Sequence, residues 1–172
     1  MSPHRPFLLA PLIVLILASA TCAADEPLRA ATQSVTAVKL QEHVDTLADD
    51  VFEGRAVGSR GGRAAAQYIV KQLRASRLTP AGDEDGYFQP CNRGGRNILA
   101  VLPGSDLVLK NEFIVVGAHY DHVGDGRLGH SNGPIGYIHN GADDNASGTA
   151  ALLECIEAIV QLEPHPRRTI LF

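Results

Sequence analysis

A chain of 172 residues has room for one domain of ordinary size with a short extra segment. Its apolar share of 45% and charged share of 20% are those of a soluble globular protein, which excludes a disordered chain and a membrane-embedded one. The net charge of −4 leaves no basic footprint, so no nucleic acid or anionic lipid partner is expected.

The first segment differs in kind from the rest. His4 and Arg5 make a short basic start, residues 7–20 are apolar, and small residues lead through Ala23 and Ala24 to Asp25. That order reads as a secretory signal peptide over residues 1–24, and the apolar run is too short to span a bilayer. An uncleaved anchor and a lipid on Cys22 are the rival readings, and Thr21 before Cys22 is larger than a lipoprotein signal takes. Export to the periplasm or outside the cell is the expectation, with no membrane attachment after cleavage. Export also permits a disulfide, but Cys91 and Cys155 are too far apart in sequence to make a framework and read as two unpaired thiols.

Residues 25–34 are polar without a period and read as a tail, ahead of a domain over 35–172. Leu40, Val44, Leu47 and Ala48 predict a helix over 35–49, and Ala66, Ile69, Val70 and Leu73 a second over 60–76. Gly, Pro, Asp and Asn crowd residues 78–96, a loop. The period then changes. Residues 98–102 and 113–118 are short apolar runs rich in β-branched residues, the first closed by Pro103-Gly104, and read as buried strands. A glycine-rich loop over 122–142 precedes a third helix over 147–162, with Leu152, Cys155, Ile156, Ile159 and Val160 on one face and Pro164 and Pro166 beyond it. Thr169 starts a last apolar strand. Strand, loop, helix, strand is a βαβ unit, which predicts an α/β three-layer sandwich around a mainly parallel mixed sheet. A chain ending on an apolar strand leaves an open hydrophobic edge, which reads as truncation at the C-terminus.

The chemistry sits in two runs, Gly117-Ala118-His119-Tyr120-Asp121-His122 and Asn140-Gly141-Ala142-Asp143-Asp144-Asn145-Ala146-Ser147-Gly148. The first lies at the C-terminal end of a strand, where open α/β sheets place ligands. His119 and Asp121 are two apart and project to one side, so the carboxylate can take the ring N–H and turn the other nitrogen to a metal. The alternative is a polar strand end with a backbone-bonded histidine. Asp143 and Asp144 precede a helix, where N–H groups and the dipole keep an acid ionised. The alternative there is that one of them, or Ser147, caps the helix. A right-handed crossover brings both runs to the same sheet edge.

These runs resemble the two-zinc aminopeptidase family, family twenty-eight of the metallopeptidases, in its first two motifs. The resemblance extends upstream through Phe52-Glu53-Gly54-Arg55, Gly58-Ser59 and residues 97–104. It implies a zinc-exopeptidase-like fold, two zinc ions, and removal of N-terminal residues from peptide substrates. It further implies His119 as a ligand of one zinc, Asp121 as the acid that orients it, and Asp144 as the carboxylate bridging both; Asp143 takes no metal. The family's general-base glutamate belongs to a Glu-Glu pair after the strand that begins at Thr169. Residues 169–172 carry no such pair, so the chain alone is expected to bind zinc weakly and hydrolyse nothing. Glu154, Glu157 and Glu163 read as the solvated face of the preceding helix. A glutaminyl cyclase or carboxypeptidase on the same fold, and a non-catalytic binding fragment, stay open as alternatives.

His122, His130 and His139 read as rim or solvent histidines, and Tyr137 as a loop-packing residue. The Asn145-Ala146-Ser147 sequon stands too close to Asp144 for use. The glycine-rich loop has no phosphate-loop spacing and no lysine.

Overall fold

The computed structural model describes residues 26–127 and 133–172, so the signal-peptide reading, Cys22 and His130 lie outside the described residues. Helix α1 spans Glu26–Ser34, α2 Ala37–Leu47, α3 Arg60–Ala75 and α4 Ser147–Ile159. The first departs from the sequence reading: the segment taken for an aperiodic tail is helical. Only Ala31 within it is buried, which is why it shows no apolar period. Thr36 caps α2 by accepting from the Lys39 N–H at 3.3 Å, and Ser59 caps α3 from the Gly62 N–H at 2.9 Å. Helix α3 turns Ala65, Ala66, Ile69, Val70 and Leu73 inward at the expected spacing.

The strands are β1 (Thr79–Pro80), β2 (Phe88–Pro90), β3 (Arg96–Ile98), β4 (Ala100–Leu102), β5 (Phe113–Val115) and β6 (Thr169–Leu171). Four make a sheet in the order β1-β4-β6-β5, and β2 pairs with β3 separately. Strands β5 and β6 run parallel with Ile114 opposite Ile170, joined over α4, whereas β4 is antiparallel to β1 and to β6. The α/β mixed sheet is as expected, with parallel pairing among the described strands confined to the βαβ unit. The single strand expected over 98–102 is divided at Leu99. Its N–H bonds to Tyr87 on the hairpin side at 2.8 Å, and its carbonyl accepts from Ala81 beside β1 at 3.1 Å.

Two burial expectations are corrected. Phe113, Ile114 and Val115 are 61%, 45% and 71% exposed, because among the described strands β5 pairs on one side only. On α4, Glu154 is not on a solvated face but is fully buried, while Cys155 is exposed. The helix packs against the sheet through Leu153 and Ile156 and against α2 through Glu154, so its buried arc is wider than one apolar stripe. Cys91 and Cys155 are both free. The main core joins Ile69, Val70 and Leu73 of α3 to Leu102, Ile156 and Ile170. No described helix is long and apolar enough to cross a membrane.

Candidate functional site

Three segments build the site. The first is the turn over Asp50–Arg55 that comes after α2. Glu53, Gly54 and Arg55 all have positive φ (51°, 64° and 49°). A Cβ on Gly54 would stand 2.5 Å from the carbonyl oxygens of Gly124 and His139, so only glycine fits. This winding sends Arg55 inward, where it is fully buried. Its guanidinium donates to the carbonyls of Leu47, Asn140 (2.6 Å), Gly141 (2.8 Å) and Tyr120 (2.8 Å). One cation therefore ties the end of α2, the end of the glycine-rich loop and the strand end together. Burial pulls its pKa down, and the charges of Asp121 and Asp144 oppose that shift.

The second segment is residues 116–122, beyond β5. Tyr120 turns inward and donates its hydroxyl to the Arg96 carbonyl at 2.9 Å, and burial raises its pKa. His119 turns outward. Its backbone carbonyl accepts from Thr149 Oγ1 and Asn145 Nδ2, each at 3.1 Å, which fastens it to the start of α4. His119 Nδ1 lies 3.2 Å from the Asp121 backbone carbonyl and 3.6 Å from the Asp121 carboxylate. A hydrogen on Nδ1 therefore meets Asp121 and leaves the Nε2 lone pair facing away. The sequence pointed to the Asp121 side chain for this; the backbone carbonyl is the nearer acceptor.

The third segment is the irregular turn over Ala142–Ala146. Asn145 serves the start of α4, its Oδ1 accepting from the Gly148 N–H at 3.2 Å. Capping thus falls to neither aspartate. The Asn145 amide nitrogen donates to the His119 carbonyl. Asp143 is exposed, and its carbonyl takes the Ser147 hydroxyl at 3.0 Å. Asp144 points at the histidines: Oδ1 is 3.3 Å from His119 Nε2, and Oδ2 is 3.5 Å from His122 Nδ1.

The 3.3 Å spacing is informative. Two ligands of one tetrahedral zinc, each bonded at about 2.0–2.1 Å, stand about 3.3 Å apart, whereas a charge-assisted hydrogen bond is nearer to about 2.8 Å. His119 and Asp144 therefore fit one edge of a zinc coordination shell. Among the described residues no group of three His, Cys, Asp or Glu side chains is arranged to hold a metal ion. The pair is one donor short of the three that catalytic zinc sites keep.

His122, read from the sequence as a rim or solvent histidine, is instead largely enclosed. Its ring is 15% exposed and sits behind Asp144, and burial, the largest influence, lowers its pKa. Its contact with Gly141 arises only on folding, and no spacing in the sequence announces it. His139 Nε2 stands 3.1 Å from the Pro134 carbonyl, and Tyr137 is 70% exposed instead of packed. A cavity of about 690 Å³ adjoins His119 and Asp121 and runs inward past Leu73 and Ile156; Asp144 does not line it, so it lies behind the strand end.

The profile of Peptidase family M28 matches residues 97–172. Leucine aminopeptidase 1 of Neurospora crassa is 28% identical over 135 residues, covering 76% of this chain and 30% of that protein. The chain thus spans less than a third of the length of that curated relative. A Zn-dependent exopeptidase from Parabacteroides distasonis matches 80% of this chain and 46% of its own, with a TM-score of 0.55 and 21% identity. Glutaminyl cyclase from Macrostomum lignano matches 100% of this chain and 43% of its own, with a TM-score of 0.55 and 22% identity. At such identity the likeness to the two structures is one of fold. Residues 97–172, which carry His119, Asp121 and Asp144 gathered at one strand end, are thus similar to peptidase family M28.

Proposed function

We propose that these residues are the N-terminal part of an exported zinc-dependent aminopeptidase that removes N-terminal residues from peptides. The observation that carries the reading is the 3.3 Å approach of His119 Nε2 to Asp144 Oδ1 at the end of β5. Zinc held there supplies a Lewis acid for the scissile carbonyl and lowers the pKa of a bound water. The protein's own part is to hold the donors. Asp121 keeps the Nδ1 proton of His119 and thereby presents Nε2, while Asn145 and Thr149 fix the backbone of His119. Arg55 fixes the two chain segments against each other and brings a buried positive charge near Asp121 and Asp144.

Two donors hold a metal weakly, and no described glutamate lies in this cluster, so the 172 residues alone are proposed to be inactive. Export rests on the order of residues 1–24, and the substrate class on the aminopeptidase relatives. A second reading, a glutaminyl-cyclase-like transferase, uses the same fold, which the Macrostomum lignano enzyme shares along this chain. Protein expressed from the complete locus and supplied with zinc separates the two. Release of nitroaniline from leucyl-p-nitroanilide is expected, with N-terminal glutaminyl peptides left uncyclised. Cyclisation without release would overturn the peptidase reading.

A further inference from the structure

We propose that His122 is a positioning residue for Asp144: from the protein side it meets one lone pair of Oδ2, which turns Oδ1 toward His119 and leaves the second lone pair of Oδ2 open for a bridging role. The inference rests on the reading of His119 and Asp144 as a metal-binding pair. Each oxygen of the Asp144 carboxylate meets a different imidazole, Oδ1 at 3.3 Å from His119 Nε2 and Oδ2 at 3.5 Å from His122 Nδ1. The two rings differ in placement. His119 and Asp144 have side chains 55% and 67% exposed, whereas His122 is 15% exposed. A metal arriving from solvent meets the first two, and His122 lies beneath them.

The geometry also shows what keeps His122 in place. Its backbone N–H donates to the Arg55 carbonyl at 3.2 Å, and it forms a parallel bridge with Ala56. Its ring lies on Gly141, where an added Cβ would come within 2.6 Å of ring atoms Cγ and Cδ2. Gly141 itself has a φ of 59° and a carbonyl held by Arg55. The ring is thus wedged between two backbone segments and has little room to turn. A carboxylate only accepts, so Nδ1 must carry the ring proton to serve Oδ2. At 3.5 Å the contact is electrostatic and longer than a formed hydrogen bond.

The test is nuclear magnetic resonance of the histidine ring nitrogens in the full chain at about pH 8, before and during titration with zinc chloride. In the metal-free protein, His122 is expected as the Nδ1–H tautomer; the Nε2–H tautomer would overturn the proposal. Asparagine places an amide donor where Nδ1 stands. The zinc affinity read at His119 is expected to stay within about threefold of wild type in His122→Asn and to fall about tenfold or more in His122→Ala, the usual size of an outer-shell loss. An unchanged affinity in His122→Ala would make the residue a bystander. An equal loss in both variants would make it a direct ligand. Either result overturns the positioning role. A wild-type chain whose His119 signals ignore zinc contradicts the metal reading itself, and the tautomer of His122 then still decides its contact with Asp144. Amide spectra of both variants show whether the fold is kept.

Discussion

Replacing Arg55 with methionine removes a side chain that touches the end of α2, the strand end and the glycine-rich loop together. Four backbone carbonyls lose their donor at once, those of Leu47, Tyr120, Asn140 and Gly141. A hydrogen bond from a charged group contributes about 1.5–3 kcal/mol, so the gross loss is about 6–12 kcal/mol. Against this stands the relief of a buried cation whose burial already lowers its pKa, together with repair of the outer carbonyls by water. The net cost is about 3–5 kcal/mol, a large part of the roughly 5–15 kcal/mol that holds a domain together. Arg55→Lys keeps the charge but has no planar fork to reach four carbonyls, and is expected to lose about half as much. Urea unfolding monitored by far-ultraviolet circular dichroism reads both, the methionine variant shifting the midpoint by about 2 M for a slope of about 2 kcal/mol/M. A methionine variant within about 1 kcal/mol of wild type would refute the assignment of Arg55 as the buried tie.

Other regions make independent tests. Gly141→Ala places a Cβ 2.4 Å from the Asp144 carbonyl oxygen at a φ of 59°. It should cost about 2 kcal/mol or more and weaken zinc binding, measured by thermal melting and by titration. Asp106 has a carboxyl pKa lowered from 3.8 to about 2, mainly by the Leu109 N–H and then by Arg167 and the Val108 N–H. Because the folded value is the depressed one, its stabilising effect is present above about pH 4 and disappears as the pH falls toward 2. The carboxyl carbon resonance should titrate there and move upward in pH in Arg167→Ala. Glu154 has both carboxylate oxygens buried without a hydrogen-bond partner among the described residues, and His43 Nε2 is 3.5 Å away. Glu154→Met should leave stability unchanged or raise it by about 1–2 kcal/mol in urea unfolding, whereas a loss of similar size would show that the His43 contact outweighs burial.

The main helices and the approach of His119 to Asp144 were legible because each leaves a local signature. The period of Ala66, Ile69, Val70 and Leu73 writes α3 directly, and the turn residues around β5 and α4 write the crossover that brings His119 to Asp144. What stayed hidden depends on contacts distant in sequence. Arg55 looks like any surface arginine until the positive φ angles of Glu53 and Gly54 turn it inward. His122 gains its place only by lying on Gly141, and Glu154 only because α2 covers that side of α4. Helix α1 buries a single alanine, too little to write a period. The exposure of Phe113 and Val115 depends on which strands lie beside β5, and composition cannot report that.

The central claim is that His119 and Asp144 form one edge of a zinc site on an M28 fold. Crystals soaked in zinc and measured at the zinc absorption edge test it most directly. An anomalous peak is expected about 2.0–2.2 Å from both His119 Nε2 and Asp144 Oδ1, lost in His119→Ala. A fully soaked crystal with no peak between these two atoms, or with zinc held only elsewhere, would contradict it.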